Sequence, residues 1–495
     1  MGSVSYHNWI NGAWVDAHSA ETFESISPAN NDDSLGDFPR STQDDVEAAV
    51  EAADEAFQPW RKMPAPERGE ILFKVARLLD ERQEELAQLM TREMGKVLNE
   101  TRGDVQEAID MGYYLAAEGR RLHGYTTTSE LPNKFNYAKR RPIGRIAMVT
   151  PWNFPIAVPS WKLFPALVAG NTAVWKPSED SPRVAVEFCK IFEEAGLPNG
   201  VLNLVTGYGE DAGAPLVQHP KIDMVSFTGS VDVGRQIYQV AAEKLNKVHL
   251  EMGGKNPVVA LEDADVDLAV EGIAWSAFGT TGQRCTACSR LIAHEDIYDD
   301  LVDKLAQQAE SLTLGDGLDD STDVGPVVNR GQLKRIHDYV QLGVKEGANL
   351  VTGGEIAEDG NLANGTFYRP TIFTGVTPDM RIFQEEIFGP VLAVTKARDY
   401  DEALALANNP DYGLSASVYT NSVFQAHRFL EDIEAGITYV NSGTIGSEVH
   451  LPFGGVKSTG NGGREAGESA IDEYTDWQAV YVDYSGQLQK AQGLE

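Results

Sequence analysis

Between residues 66 and 122, leucine and alanine recur at helical spacing among glutamate and arginine. The pattern predicts two or three helices, broken near Gly95 and Gly103. Upstream, Thr42-Gln43-Asp44-Asp45 has the form of a capping box and predicts a helix through Phe57. Strand-like runs at Trp9-Ile10 and Trp14-Val15 precede it. From residue 145 the pattern changes. Short apolar runs at 145–150, 172–175, 201–205, 224–227 and 248–250 alternate with helix-like stretches, as in a parallel sheet of βαβ units. A second alternating set follows: a strand at 257–261, a helix at 268–279, a strand at 291–293 and a helix at 296–312. Further strands are predicted near 372, 391–394, 417–419 and 438–440. Residues 125–137 form a polar, threonine-rich excursion, and 477–483 read as a strand without a sheet of its own.

At 495 residues the chain exceeds what one core usually serves, so two or three domains are expected. The first residues carry no basic segment followed by an apolar one, and no apolar run approaches the roughly 20 residues that cross a bilayer. A cytoplasmic protein is expected. Seventy-four acidic against forty-one basic residues give a net charge of −33, distributed along the chain and not gathered in a tail. Such a surface disfavours nucleic acid, whose binding needs basic patches. It looks halophilic, because salt screens the self-repulsion of so acidic a surface. The expected outcome is that folding and activity require molar salt. Full activity and an unchanged melting point in dilute buffer would contradict it.

Cys189, Cys285 and Cys288 cannot build a disulfide framework, which fits a reducing compartment. Cys285-x-x-Cys288 lacks further ligands at metal spacing, so no metal is expected, and Cys288 reads as a small buried filler. Cys285 itself lies in Gly282-Gln283-Arg284-Cys285-Thr286-Ala287, a turn whose amides and adjacent Arg284 would favour a thiolate nucleophile. Glu251, in Leu250-Glu251-Met252-Gly253-Gly254-Lys255, is a candidate base, its glycines permitting close approach of backbone or ligand. Asn153, in Pro151-Trp152-Asn153-Phe154-Pro155, offers an amide to a tetrahedral alkoxide, together with the Cys285 N–H. Phe227-Thr228-Gly229-Ser230 leads from strand to helix, where free N–H groups suit a pyrophosphate.

These segments, in this order, resemble the NAD(P)-dependent aldehyde dehydrogenase superfamily, from about Asn8 to Val480. The resemblance implies an α/β fold: a Rossmann-like cofactor domain (1–122 and 142–253), an α/β catalytic domain bearing the nucleophilic Cys (254–455), and a small β oligomerisation arm (123–141 and 476–495). In the arm, the tail strand would pair with the excursion. The family's dinucleotide turn has a single glycine, so Gly229 and Ser230 suffice. Thr150, Trp152, Lys176 and Ser178 would contact the cofactor, with Glu386 and Phe388 at its nicotinamide half. Glu179, near the ribose 2′-hydroxyl, favours NAD, with NADP possible. Glu465 would be an auxiliary base or proton relay, or an anchor of its loop. The reaction implied is oxidation of an aldehyde to an acid through a Cys285 thioester, hydrolysed by water that Glu251 activates.

Residues 436–455 look most like enzymes of α-ketoglutarate semialdehyde (2,5-dioxopentanoate), and are similar to those of succinate and α-aminoadipic semialdehydes. All three substrates carry a distal carboxylate that wants a cation, for which Arg284 and His450 are candidates. Trp161 and Phe453 would line the aldehyde channel, or else are core aromatics. A broad-specificity detoxifying dehydrogenase is the alternative, and a binding protein that kept the fold but lost turnover is a third. A homodimer or homotetramer is implied, without membrane or nucleic-acid partners.

Overall fold

A computed structural model describes residues 4–490, so residues 1–3 of the expected cofactor domain and 491–495 of the expected arm lie outside the described residues. Two seven-stranded sheets dominate. The first runs in the order Lys247–Met252, Met224–Gly229, Arg145–Val149, Thr172–Lys176, Leu202–Leu204, Asn8–Ile10, Ala13–Val15. Its first five strands are parallel, and Trp9 joins antiparallel to Leu204. The second runs Asn349–Thr352, Thr371–Thr374, Val391–Ala397, Cys288–His294, Asn256–Ala260, Ser415–Tyr419, Ile437–Val440, parallel except at its first strand. Every residue of Thr172–Lys176, Asn256–Ala260 and Ser415–Tyr419 is buried. That is why these strands read as unbroken apolar runs: helices cover both faces of a parallel sheet.

The tail strand Thr475–Asp483 does find a partner. It pairs antiparallel with Lys134–Pro142 over nine positions, from Thr475 opposite Pro142 to Asp483 opposite Lys134, and Tyr125–Thr127 forms the other edge. Phe135, Trp477 and Tyr481 are exposed on this sheet.

The capping box is present: the Thr42 N–H donates to Asp45 Oδ2 at 2.9 Å. The helix it opens continues past Phe57 to Lys62, because buried Trp60 docks below, its indole N–H on the Leu167 carbonyl. Residues 66–122 hold three helices, Ala65–Glu81, Gln83–Met94 and Leu98–Ala117. Gly95 ends the second with φ +87, but Gly103 breaks nothing. It lies inside the third helix with open space where a Cβ would stand, and glycine's entropic cost there is only about 1 kcal/mol. The first break falls at Arg82 instead. The sequence pattern also leaves out the hairpin Thr22–Ile26/Ser34–Pro39 and the helices Arg330–Glu346, Tyr400–Asn408 and Val423–Asp432. Among the described residues no helix is long and apolar enough to cross a membrane.

Candidate active site

Cys285 follows a backbone that only outside forces could hold. After the helix Val266–Phe278, Thr280, Thr281 and Gly282 all adopt left-handed φ values of 51°, 57° and 65°. For non-glycine residues this costs roughly 1–2 kcal/mol each. A Cβ on Gly282 would stand 2.2 Å from the Gly389 carbonyl oxygen. Glu100, on the helix Leu98–Ala117, supplies the restraint. Its carboxylate accepts the Thr280 N–H at 2.9 Å and the Thr280 hydroxyl at 3.1 Å. Thr281 donates to the Gly325 carbonyl at 2.8 Å, and Gln283 Oε1 accepts the Val328 N–H at 3.0 Å.

Arg284 belongs to the same clamp. Its Nη2 lies 2.9 Å from Glu100 and its Nε donates to Thr280 Oγ1 at 2.8 Å. The guanidinium is therefore committed to the turn. It is neither a free cation for a substrate carboxylate nor the group that eases ionisation of the neighbouring thiol. Burial pushes the Cys285 thiol up to about 12, the charges of Glu251 and Glu386 add to this, and the Thr286 and Cys285 N–H groups offset it only in part. This balance favours the neutral thiol, where the adjacent arginine alone would suggest a thiolate. Asn153 reaches the turn as well, its Nδ2 donating to the Gln283 carbonyl at 3.0 Å. Cys288 is buried, as its role of filler requires.

Glu251 stands near the C-terminal end of the strand Lys247–Met252, buried, and among the described residues neither carboxylate oxygen accepts a hydrogen bond. Burial raises its pKa above the ordinary carboxylate range, with nearby His249 pulling the other way. A loop roofs it: Phe453 and Glu465 exchange backbone hydrogen bonds at 2.6 and 2.7 Å, and a Cβ on Gly454 would lie 2.7 Å from Glu251 Oε1. Glu465 is buried too and accepts a hydrogen bond from Lys162. Burial opposes its charge, but Lys162 and His249 outweigh burial and hold the carboxyl below its usual range. The paired glycines permit the close approach expected of them, by a side chain and a backbone carbonyl. A Cβ on Gly253 would stand 2.1 Å from Glu386 Oε2, and one on Gly254 would stand 2.8 Å from the Cys285 carbonyl oxygen. They let protein groups close in, and the Gly254 N–H then donates to Glu386 Oε1 at 3.0 Å.

A cavity of about 210 Å³ opens beside the thiol, walled by Trp152, Asn153, Ser230, Cys285, Glu386 and Phe388. Phe388, itself at φ +60, meets Trp152 edge to face at 5.6 Å. Gln332 and Arg335, on a helix absent from the sequence reading, hold this segment through the carbonyls of Phe388 (2.8 Å) and Glu386 (2.9 Å). Ser230 caps the helix Val231–Lys244. A further hollow of about 430 Å³, lined by Val149, Val217, Val233, Gln236 and Ile237, flanks that helix. Lys176 and Glu179 pair at 3.2 Å, Ser178 Oγ accepts the Asp180 N–H, and Thr150 Oγ1 accepts the Trp175 indole N–H at 2.9 Å. Thr228, given no role of its own in the sequence reading, has a buried hydroxyl that lacks a partner among the described residues and faces the 210 Å³ cavity. That orphaned hydroxyl, the start of the helix Val231–Lys244 and the hollows on either side of it fit a dinucleotide.

On the aldehyde side Trp161 and Phe453 meet edge to face at 4.7 Å, within the apolar cluster against which Cys285 packs. The Trp161 indole N–H and the Tyr439 hydroxyl are buried and, among the described residues, without partners. Burial lifts the Tyr439 hydroxyl to about 12, and Cys285 and Glu107 lie close enough to add to it. His450 is not brought to this side in position to act; it is exposed, 3.2 Å from Glu448.

A clamped thiol, a buried carboxylate and a dinucleotide-sized hollow meeting at one point define an oxidoreductase that works through a nucleophilic cysteine. The chain belongs to the aldehyde dehydrogenase family, whose profile matches residues 14–480. It is 45% identical to an α-ketoglutarate semialdehyde dehydrogenase of Haloferax volcanii, over 96% of this chain and 99% of that protein. Identity is 41% to a 2,5-dioxopentanoate dehydrogenase of Saccharolobus solfataricus, covering 96% and 97% of the two chains. The crystal structure of an NAD-dependent aldehyde dehydrogenase from Sinorhizobium meliloti superposes with a TM-score of 0.95 at 39% identity, covering 99% and 97%.

Proposed function

We propose that the protein oxidises α-ketoglutarate semialdehyde to α-ketoglutarate with NAD. The observation that carries this reading is its likeness, over nearly the whole of both chains, to relatives named for that substrate. Two uncommitted buried donors, Trp161 Nε1 and the Tyr439 hydroxyl, support an oxygen-rich substrate near Cys285, in place of the committed Arg284 and the exposed His450.

In the mechanism, Cys285 releases its proton to solvent water and its Sγ attacks the aldehyde carbon. The carbonyl oxygen becomes an alkoxide held by the second N–H of the Asn153 amide and by the Cys285 N–H. A bound NAD would supply the acceptor for the hydride of the former aldehyde carbon. Cys285 is left as a thioester. Glu251, in its ionised form, takes a proton from water as the water oxygen bonds to the acyl carbon; the C–S bond breaks with its electron pair on sulfur, the acid leaves, and the proton on Glu251 passes to the thiolate or to solvent. Thr228, Gly229 and Ser230 would hold the pyrophosphate, Lys176 and Glu179 the adenosine ribose, and Glu386 and Phe388 the nicotinamide half. Trp152 would wall the same hollow, while Thr150 and Ser178 would shape its floor.

Residues 1–122 and 142–253 are assigned to cofactor binding and 254–455 to catalysis. The loop 456–474 is added to the first of these, since it roofs Glu251. The exposed aromatic sheet of 123–141 and the tail is assigned to self-association, because contiguous apolar surface of this kind marks an interface. A cytoplasmic location fits its three unpaired cysteines.

The test is NAD(P)H formation in molar KCl with α-ketoglutarate semialdehyde, succinate semialdehyde and hexanal, each with NAD and NADP. The keto acid with NAD should give the highest kcat/KM. Equal rates on all three aldehydes would indicate a broad detoxifying enzyme, and a preference for NADP would mean that Glu179 turns away from the ribose.

A further inference from the structure

Glu251 has a neighbour that this mechanism does not use. The strand Lys247–Met252 places His249 two residues earlier on the same face. Its ring is fully buried, with Nε2 3.6 Å from Glu251 Oε1 and 3.4 Å from Glu465 Oε1, while Nδ1 lies 3.2 Å from Glu473 Oε2. The roof loop fixes the ring, since a Cβ on Gly463 would stand 2.2 Å from Nδ1. Of the three carboxylates only Glu473 reaches the surface, with 19% of its side chain exposed.

Both ring nitrogens therefore lie near carboxylate oxygens, at angles too bent for a regular hydrogen bond. A neutral imidazole has one N–H and would turn a lone pair towards one of them; only the imidazolium offers a hydrogen to each. The surrounding charges agree. Glu251 and Lys247 share the strand, Glu465 and Arg464 come from the loop, Lys162 from the helix Ala157–Ala169, and Glu473 from the helix Ser469–Glu473. The strand Met224–Gly229 contributes only the Ser226 hydroxyl, bonded to Lys162 (3.1 Å) and to the Tyr474 hydroxyl (2.8 Å). Lys162 and Arg464 also act on Glu251, and Lys247 on Glu473, but His249 is the strongest favourable charge on both carboxylates. Burial works against a charged ring, yet Glu465 and Glu473 outweigh burial and raise His249 to about 9.

We propose that His249 is a positioning residue whose imidazolium charge favours the ionised form of Glu251, the form that takes the proton of the attacking water, and that Glu473 sustains that charge from the surface side. This rests on Glu251 being the base. No proton leaves the ring during turnover; its contribution is the charge. A single cation at this distance lowers a carboxyl by about one unit or more.

The test compares wild type with His249→Gln, Glu473→Gln and Glu251→Gln, recording the pH profile of steady-state turnover and the pre-steady-state burst of reduced cofactor. Glu251→Gln should give a burst and then arrest. In His249→Gln the burst should persist while the rising limb of turnover moves up by about one pH unit, a loss of about ten-fold at pH 7. Glu473→Gln should move it in the same direction by less. A merely structural histidine would lower turnover evenly at every pH. If His249→Gln does not fold, Glu473→Gln decides alone. Rising limbs that stay at the wild-type pH, with Glu251→Gln still arrested after its burst, overturn the proposal and leave the base assignment standing. Wild-type turnover by Glu251→Gln removes the base assignment, and this proposal with it.

Discussion

Cys285→Ala is expected to lower turnover by on the order of 10⁵-fold, as removal of a covalent nucleophile does. Its melting temperature should barely change, because the thiol is only half-buried and its loss leaves a small void. Cys189→Ala and Cys288→Ala supply the contrast: both side chains are buried, so these substitutions should cost stability and spare turnover. Alkylation adds a second readout. With the resting thiol pushed up to about 12, labelling of Cys285 should be slow at neutral pH and should accelerate about ten-fold per unit as pH rises. Fast labelling at pH 7 would show that the thiol rests ionised. Turnover undiminished in Cys285→Ala would dismiss the thioester route altogether.

Asn153→Ala is expected to lower kcat by about 10²–10³, the usual consequence of deleting one oxyanion donor, with KM little changed. The variant also loses the hydrogen bond to the Gln283 carbonyl, which costs about 1 kcal/mol of stability. Single-turnover kinetics separate the two effects. A lost donor slows formation of the thioester itself, so the burst phase slows and not only the steady state. A fall in melting temperature with an unimpaired burst would make Asn153 a strut of the turn and nothing more.

The alternation of apolar runs was sufficient to read both parallel sheets, because strands buried on both faces show themselves as unbroken hydrophobic stretches. The tail strand was legible as a strand, and the family resemblance named its partner. Gly103 misled because a glycine in a helix is a weak signal wherever tertiary packing holds the helix. The arginine beside the nucleophile misled for another reason. Adjacency in sequence says nothing about direction, and Glu100, 184 residues earlier, draws Arg284 into the clamp. Glu100 and His249 belong to no motif that the sequence reading used, and neither did Gln332 or Arg335, which sit on a helix left out of it. All four act through folded proximity to distant segments. Glycines gave half a signal: Gly253 and Gly254 marked a close approach, but not that Glu386 and the Cys285 carbonyl were what approached.

The clamp formed by Glu100 gears the reactive sulfur to a distant part of the molecule. One carboxylate from the helix Leu98–Ala117 stabilises the left-handed backbone at Thr280 and the orientation of Arg284. Any disturbance that slides this helix lets the strained turn relax to ordinary backbone angles and carries the sulfur off target. Such relaxation needs far less energy than separating either sheet, since local openings span the range below global unfolding. Under mild denaturation, activity is therefore expected to fade before the fold is lost and to return on dilution.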